Sequence, residues 1–267
     1  MQVIGLCRFS YPAEGGFQVE HADLAERMAY LYAPARLEER FASFEGICLP
    51  GLRAQTDPDF TFLILIGDTL PDAALDRLRA LVADLPQARI VARPPLPHRK
   101  VCQEVINAAR DMTQPALEFR LDDDDTVGRD FVERLRATAR DCAPLLARHR
   151  LVALDFNRGY ILRADAGGVC GEEQILPYSS MGLAVAVQPR VALSVMNFAH
   201  NKLGQFMPTI TQTDAPMFVR GHNEHNDSRQ KKHVKPMRLP PLSPDDAAVI
   251  EDRFGISVAR LARLCGA

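Results

Sequence analysis

Apolar runs of strand length alternate with amphipathic stretches through the first half of the chain. The run FTFLILI at residues 60–66 is almost continuously apolar, which is typical of a parallel strand covered on both faces. Shorter apolar runs predict three more strands, at residues 3–9, 88–92 and 117–121. None of these runs is long enough to span a bilayer as a helix.

Between these runs, apolar residues recur at helical spacing. They predict helices at residues 71–82, 101–109 and 128–140, and helix-forming stretches within residues 22–44 that break near Pro34. The alternation of strands and helices predicts an α/β fold, in which helices flank a mostly parallel sheet.

The second half of the chain is less regular. Residues 151–156 and 161–163 predict a hairpin around FNRGY, and residues 185–187 predict another strand. A last helix is predicted over residues 244–264, with a break near Gly255. The sequence contains no internal repeat, and we expect a single domain over residues 1–267.

Composition and charge place the chain among soluble globular proteins. The net charge is −2, so no global field favours nucleic acid. The start, MQVIGLCRFS, lacks the basic and apolar regions of a signal peptide. None of the six cysteines stands in a Cys-x-x-Cys pair, which favours reduced thiols. We expect a cytoplasmic location, with peripheral contact at the inner membrane left open.

Four consecutive aspartates, in FRLDDDDTV at residues 119–127, follow the predicted strand 117–121. Ligands of such sheets bind beyond the carboxyl ends of the strands, and Asp68 follows another strand there. Crowded carboxylates repel each other unless a cation offsets them, and carboxylate oxygens suit Mg²⁺ or Mn²⁺. A cap on the next helix would explain one or two aspartates, so we interpret the run as a metal site.

A second metal chemistry fits part of the same stretch. Asp122-x-Asp124-x-Thr126-Val127 resembles the signature of haloacid-dehalogenase-like phosphatases, with Asp122 as nucleophile. Their Gly-Asp motif comes after the nucleophile strand, whereas Gly67-Asp68 comes before it here. This phosphatase is therefore the alternative interpretation.

The combination of motifs resembles nucleotide-sugar glycosyltransferases of the A-type fold, and within them the rhamnosyltransferase family of bacteria. The pieces that carry the resemblance are VIGLCRFS, LEERFASFEGICLPGLRAQTDPDFTFLILIGD, FRLDDDDTVGRDFVERL and RGHNEHNDSR. They span most of the chain.

The resemblance implies roles for the positions that match. Asp122 and Asp124 resemble the Asp-x-Asp motif, which binds the metal and through it the donor diphosphate. His222 resembles a late histidine that reaches the metal or diphosphate in such enzymes. The remaining residues expected to bind the donor are Arg8, Phe9, Asp68, Arg99, Lys100, Asp123, Asp125, His225 and Asn226.

The segment that carries His222 is strongly basic. Residues 220–238 hold six arginines and lysines against two acidic residues. This segment could fold over an anionic donor as a lid or touch anionic lipid headgroups. A plain polar surface loop is the alternative.

An inverting transferase also needs a base that takes the acceptor's proton. Asp214, shortly before the histidine segment, is our first choice, and Asp155, Glu172 and Glu173 qualify by residue type. The loop YSSMGLA at residues 178–184 is interpreted as facing the acceptor.

We therefore expect a glycosyltransferase that depends on Mn²⁺ or Mg²⁺. It would move a sugar, rhamnose by resemblance, from a dTDP-rhamnose-like donor to a glycan or another hydroxyl acceptor. Residues 1–127 would bind the nucleotide sugar, residues 128–240 would complete the acceptor and metal sites, and residues 241–267 would form a helical tail. A non-catalytic binder of sugar nucleotides is a further alternative.

Overall fold

The computed structural model describes residues 1–15, 21, 23–222 and 237–266. The helices are α1 (Leu24–Leu31), α2 (Pro34–Ser43), α3 (Leu49–Arg53), α4 (Asp72–Val82), α5 (His98–Ala109), α6 (Phe131–Asp141), α7 (Ala143–Arg148), α8 (Pro244–Phe254) and α9 (Val258–Cys265). The strands are β1 (Gln2–Arg8), β2 (Thr61–Gly67), β3 (Ala88–Arg93), β4 (Ala116–Asp122), β5 (Asp125–Val127), β6 (Leu151–Phe156), β7 (Arg158–Asp165), β8 (Gly168–Ile175), β9 (Leu183–Val187), β10 (Thr209–Gln212) and β11 (Phe218–Gly221).

A seven-stranded sheet in the order β10-β6-β9-β4-β1-β2-β3 forms the centre of the fold. Only β9 runs antiparallel to its neighbours, β4 and β6, and the other pairs are parallel. The carboxyl ends of β1, β2, β3, β4, β6 and β10 therefore meet at one edge. This mostly parallel α/β sheet confirms the predicted fold class.

The core of this sheet depends on close packing between β1 and β4. A Cβ on Gly5 would lie 2.3 Å from Cζ of Phe119, so the ring fills the space that a side chain would take. Phe119 in turn packs edge-on against Phe131 of α6, with ring centroids 5.3 Å apart. These contacts hold β4 in register, and with it the aspartates at its end.

The four strands predicted in the first half are confirmed, with ends that differ by at most one residue. The predicted break in the last helix is also confirmed. It lies at Gly255, which ends α8 with a φ of +65°, a left-handed conformation that glycine adopts without strain.

The predicted hairpin at FNRGY is wrong. β6 joins the large sheet, whereas β7 joins a second sheet in the order β5-β11-β7-β8. Asn157 alone separates the two strands, and the commonest tight hairpins need a two-residue turn. The chain therefore continues from one sheet into the other at this point.

All six cysteines are free thiols, as the sequence predicted. Over the ranges that the structure describes, no helix combines the length and the apolar character needed to cross a bilayer.

Candidate functional site

The aspartate run lies where β4 ends and β5 begins. Asp122 is the last residue of β4 and stands in register with Arg8 of β1. Nη2 of Arg8 donates a hydrogen bond to Oδ1 of Asp122 over 3.1 Å. The side chain of Asp122 is 46% exposed, so it is accessible to a ligand at the edge of the sheet.

The next two aspartates are buried against an arginine from α2. Nη1 of Arg40 donates to Oδ1 of Asp123 over 2.8 Å and lies 3.6 Å from Oδ2 of Asp124. Oδ2 of Asp124 accepts no hydrogen bond from any described residue. Burial, against the lowering effect of Arg40 and with the charges of Asp123 and Asp122, raises the pKa of Asp124 to about 7.

Strand β11 brings the late histidine to the aspartates. It runs antiparallel to β5, with Arg220 opposite Asp125, and the amide of Gly221 donates to the carbonyl of Asp124 over 2.9 Å. A Cβ on Gly221 would lie only 2.2 Å from that oxygen. The next residue, His222, is buried, and its backbone is fixed by a 2.7 Å bond from its amide to the carbonyl of Leu162.

Charge compensation in this region comes from several arginines, one of which the sequence reasoning did not assign. Arg120 alternates with Leu121 along β4 and so lies on the same face as Asp122. Burial lowers the pKa of Arg120, and the charge of Asp122 raises it. Its signal was already in FRLDDDD, where a cation stands between Phe119 and Leu121 in a mostly buried strand.

His98, at the start of α5, is a second residue that the sequence reasoning did not assign. Burial, together with the charges of Arg8 and Arg120, lowers its pKa to about 3. The imidazole is therefore neutral at physiological pH. It is the first residue of α5, and anions are favoured at helix N-termini.

The other residues predicted to bind the sugar-nucleotide donor differ in how deeply they are buried. Phe9 is fully buried and packs against Phe41, with ring centroids 4.8 Å apart, so its ring supports the core. Asp68, Arg99 and Lys100 are exposed, the first after β2 and the others in the first turn of α5. His225, Asn226 and the basic segment beyond His222, up to residue 236, lie outside the described residues. Contact of these residues with a donor stays a prediction.

The candidate bases differ sharply in their surroundings. Asp214 is exposed and forms an ion pair with Arg134 of α6, and the hydrogen bond from that arginine lowers its pKa. A carboxylate held charged in this way is a weak proton acceptor, so the geometry argues against our first choice. Asp155 is 1% exposed, and burial raises its pKa to about 6. The other two candidates are occupied, because Glu173 pairs with Arg158 and Glu172 accepts a bond from Gln174.

A histidine that the sequence reasoning did not consider lies beside the acceptor loop. Nδ1 of His200 is 2.5 Å from the carbonyl oxygen of Tyr178. The turn Ser180–Gly182, directly after Tyr178, contacts β4, β5 and β11. The loop predicted to face the acceptor therefore lies against the strands that carry the aspartates and His222, although its contact with an acceptor is untested.

The residues at the end of β4 fit a divalent ion that also binds substrate. Within the described ranges, no three His, Cys, Asp or Glu side chains already form a metal cage. Mg²⁺ does not need one, because it takes one or two carboxylates together with substrate phosphates. Asp122 is accessible and Oδ2 of Asp124 lacks a hydrogen-bond donor, so these two carboxylates have capacity for an ion.

Most of the chain matches a known protein family. The family model described as "Putative rhamnosyl transferase" matches residues 2–235. No curated protein gave a significant match.

Several solved structures are similar in overall arrangement. S. aureus TarS in complex with UDP-GlcNAc has 11% identity and a TM-score of 0.47 over 84% of this chain and 59% of that one. TarS with UDP has 10% identity and a TM-score of 0.46, over 83% and 61%. A putative nucleotide-diphospho-sugar transferase from Desulfovibrio desulfuricans G20 has 10% identity and a TM-score of 0.37, over 84% and 83%. The chain thus spans about three fifths of the length of the TarS fragments that it matches.

Proposed function

Because this chain belongs to the family described as putative rhamnosyl transferases, we propose that it is a glycosyltransferase. Its donor is a nucleoside-diphosphate sugar such as dTDP-rhamnose, and its acceptor is a hydroxyl group of a glycan or another molecule. The phosphatase alternative is not retained, because the family match covers the aspartate motif and both flanking halves of the chain.

One observation carries this proposal. The pairing of β5 with β11 brings His222 next to an aspartate turn in which Oδ2 of Asp124 has no hydrogen-bond donor. Arg40 approaches this oxygen only to 3.6 Å, and a buried charge without hydrogen bonds is costly, so a second cation would be stabilising there. The adjacent Arg8 and Arg120 provide positive charge on the same edge of the sheet, where a diphosphate would be held.

We propose Mn²⁺ or Mg²⁺ as the ion, bound by Asp122 and Asp124 together with the donor diphosphate. His222 would be a further ligand only after its side chain moves closer to the two carboxylates than it lies in this structure. When bound, such an ion stabilises the charge that develops on a leaving diphosphate. The chain's own cations act on the same group, because Arg8 and Arg120 can donate charge-assisted hydrogen bonds to phosphate oxygens. We propose that Asp68, exposed directly after β2, contacts the nucleoside.

Thermal unfolding with nucleotides tests the metal site without knowledge of the acceptor. We expect dTDP or UDP to raise Tm in the presence of Mn²⁺ and to have a much smaller effect with excess EDTA, because ligands that bind only the folded state stabilise it. Asp124→Ala should abolish the Mn²⁺-dependent part of the shift. Asp76→Ala, at an exposed position on α4, is the matched control and should behave as wild type.

A Tm shift that is equal in EDTA and in Mn²⁺, or that survives Asp124→Ala, would contradict the proposed metal site. Turnover is tested separately, by release of dTDP from dTDP-rhamnose. Metal-dependent nucleotide binding without any release, with every nucleotide sugar and acceptor offered, would instead favour the non-catalytic binder.

A further inference from the structure

The peptide unit of Tyr178 connects a buried carboxylate to a histidine. The amide of Tyr178 donates to both carboxylate oxygens of Asp155, over 3.1 and 3.2 Å. On its other side, the carbonyl of Tyr178 lies 2.5 Å from Nδ1 of His200. A carbonyl oxygen can only accept, so Nδ1 carries the proton and Nε2 of the neutral ring has a lone pair.

The backbone at Tyr178 has a conformation that residues other than glycine seldom adopt. Tyr178 has a φ of +56°, in the left-handed region that is uncommon for residues other than glycine. The strain is offset by the two bonds to Asp155 and by the turn His200–Gln205, which packs on the tyrosine ring. A Cβ on Gly204 would lie 2.9 Å from Oη of Tyr178. Strained residues of this kind cluster at functional sites.

The connected residues stand at the same edge of the sheet as the aspartates. β6 and β4 are both antiparallel to β9, so the carboxyl end that bears Asp155 points in the same direction as the end that bears Asp122. The turn that follows Tyr178 contacts β4, β5 and β11. The charges that act on the ring of His200 are those of Arg120, Asp122 and Arg220, all of them on these strands.

We propose that His200 is the catalytic base of the transfer reaction, with Tyr178 and Asp155 as positioning residues. The inference rests on the proposed function. In the reaction, the acceptor oxygen bonds to the anomeric carbon of the donor sugar, and its proton moves to Nε2 of His200. The bond from the anomeric carbon to the diphosphate oxygen breaks, and its electron pair leaves with the nucleoside diphosphate. A single displacement of this kind inverts the anomeric configuration.

His200 is in its base form at neutral pH. Burial lowers its pKa, against the bond to the Tyr178 carbonyl, which raises it. The ring is therefore neutral at neutral pH and can accept a proton. Asp155 is too deeply buried to touch an acceptor, and both of its oxygens already accept the Tyr178 amide.

Two substitutions separate a base from a structural role. His200→Asn keeps a side-chain N–H that can bond to the Tyr178 carbonyl but has no basic nitrogen, and His200→Gln offers an amide near the position of Nε2. The assay is dTDP release from dTDP-rhamnose in Mn²⁺, with water as acceptor. We expect both variants to lose roughly a hundredfold or more in kcat, with KM for the donor and the nucleotide-induced Tm shift unchanged. His149→Gln, at an exposed position after α7, is the matched control.

A third variant tests proton transfer directly. In His200→Ala, added imidazole should restore part of kcat in proportion to its free-base concentration, and in His149→Ala it should have no effect. Recovery of wild-type kcat in His200→Asn would overturn the inference, since it would show that only the bond to Tyr178 matters. Wild-type kcat in His200→Gln would overturn it as well. If the wild type releases no diphosphate from any nucleotide sugar, the proposed function itself fails, and the inference with it.

Discussion

Two acidic regions, one at Glu118 within β4 and one at Asp124 just after it, differ in the hydrogen bonds that their carboxylates accept. Glu118, in mid-strand, is fully buried, accepts a 2.9 Å bond from Arg110 and accepts another from the amide of Val195. Asp124, just beyond the end of the strand, is also buried, but its Oδ2 accepts no hydrogen bond from the described residues. Burial raises both pKa values to about 7. A shifted pKa alone therefore does not identify a site, whereas an unsatisfied oxygen at the sheet edge does.

The largest expected effect concerns the satisfied pair. Arg110→Met leaves the Glu118 carboxylate buried without its cation, and losing one partner of a buried pair costs roughly 3–5 kcal/mol. Urea unfolding at pH 8 should show this loss in the free energy of unfolding. A loss below about 1 kcal/mol would contradict the comparison, because the Glu118 pair would then contribute little to the free energy of unfolding. Arg79→Met removes an exposed partner on α4 and is the control.

Asp124→Asn should lower activity and leave stability intact, the opposite of Arg110→Met. We expect kcat for dTDP release to fall by roughly a hundredfold to a thousandfold, as for other groups that stabilise transition-state charge. Stability without ligand should be unchanged or higher, because one of several crowded carboxylates is neutralised. The measurement is kcat beside urea unfolding. If the variant is less stable but its folded fraction is fully active, Asp124 has a structural role and not the proposed functional one.

The free energy of unfolding should depend on pH in part through protonation of Glu118. Its folded pKa, about 7, lies above its ordinary value of 4.5, so the folded state binds the proton more tightly than the unfolded state. This group therefore contributes most below pH 4.5, and the contribution is lost as the pH rises towards 7. Glu118→Gln should flatten this part of the profile by about 1–3 kcal/mol, measured by urea unfolding at several pH values. An unchanged profile would contradict the assignment.

The smallest expected effect concerns Arg120, on the same face of β4 as Glu118 and Asp122. Arg120→Met should weaken binding of dTDP about tenfold, as expected for the loss of one charge-assisted hydrogen bond to a phosphate. Titration calorimetry with dTDP in Mn²⁺ measures the change, and Arg89→Met on β3 is the control. Unchanged affinity would show that Arg120 only balances the aspartates.

The sequence predicted the part of the site that local pattern encodes. A buried strand that ends in four aspartates predicted both the strand and the edge where they stand, because parallel strands place their carboxyl ends together. The role of His222 came from resemblance and stays a prediction, and the pairing of β5 with β11 places the backbone just before it against Asp124.

Other features could not be predicted, since they depend on contacts distant in sequence. Nothing in FNRGY indicates that β6 and β7 enter different sheets, because the apolar pattern is the same for a hairpin. The contact of Arg40 with Asp123 depends on the way α2 packs beneath the turn. The role inferred for His200 depends on a left-handed tyrosine, which no spacing of residue types predicts.

The contact between Gly221 and the carbonyl of Asp124 has a consequence for substitutions at position 221. A Cβ there would lie 2.2 Å from the carbonyl oxygen of Asp124, well inside van der Waals contact. Any larger residue would therefore push β11 away from the aspartate turn and lengthen the 2.9 Å hydrogen bond between them. Glycine at this one position thus keeps the backbone that precedes His222 against the turn.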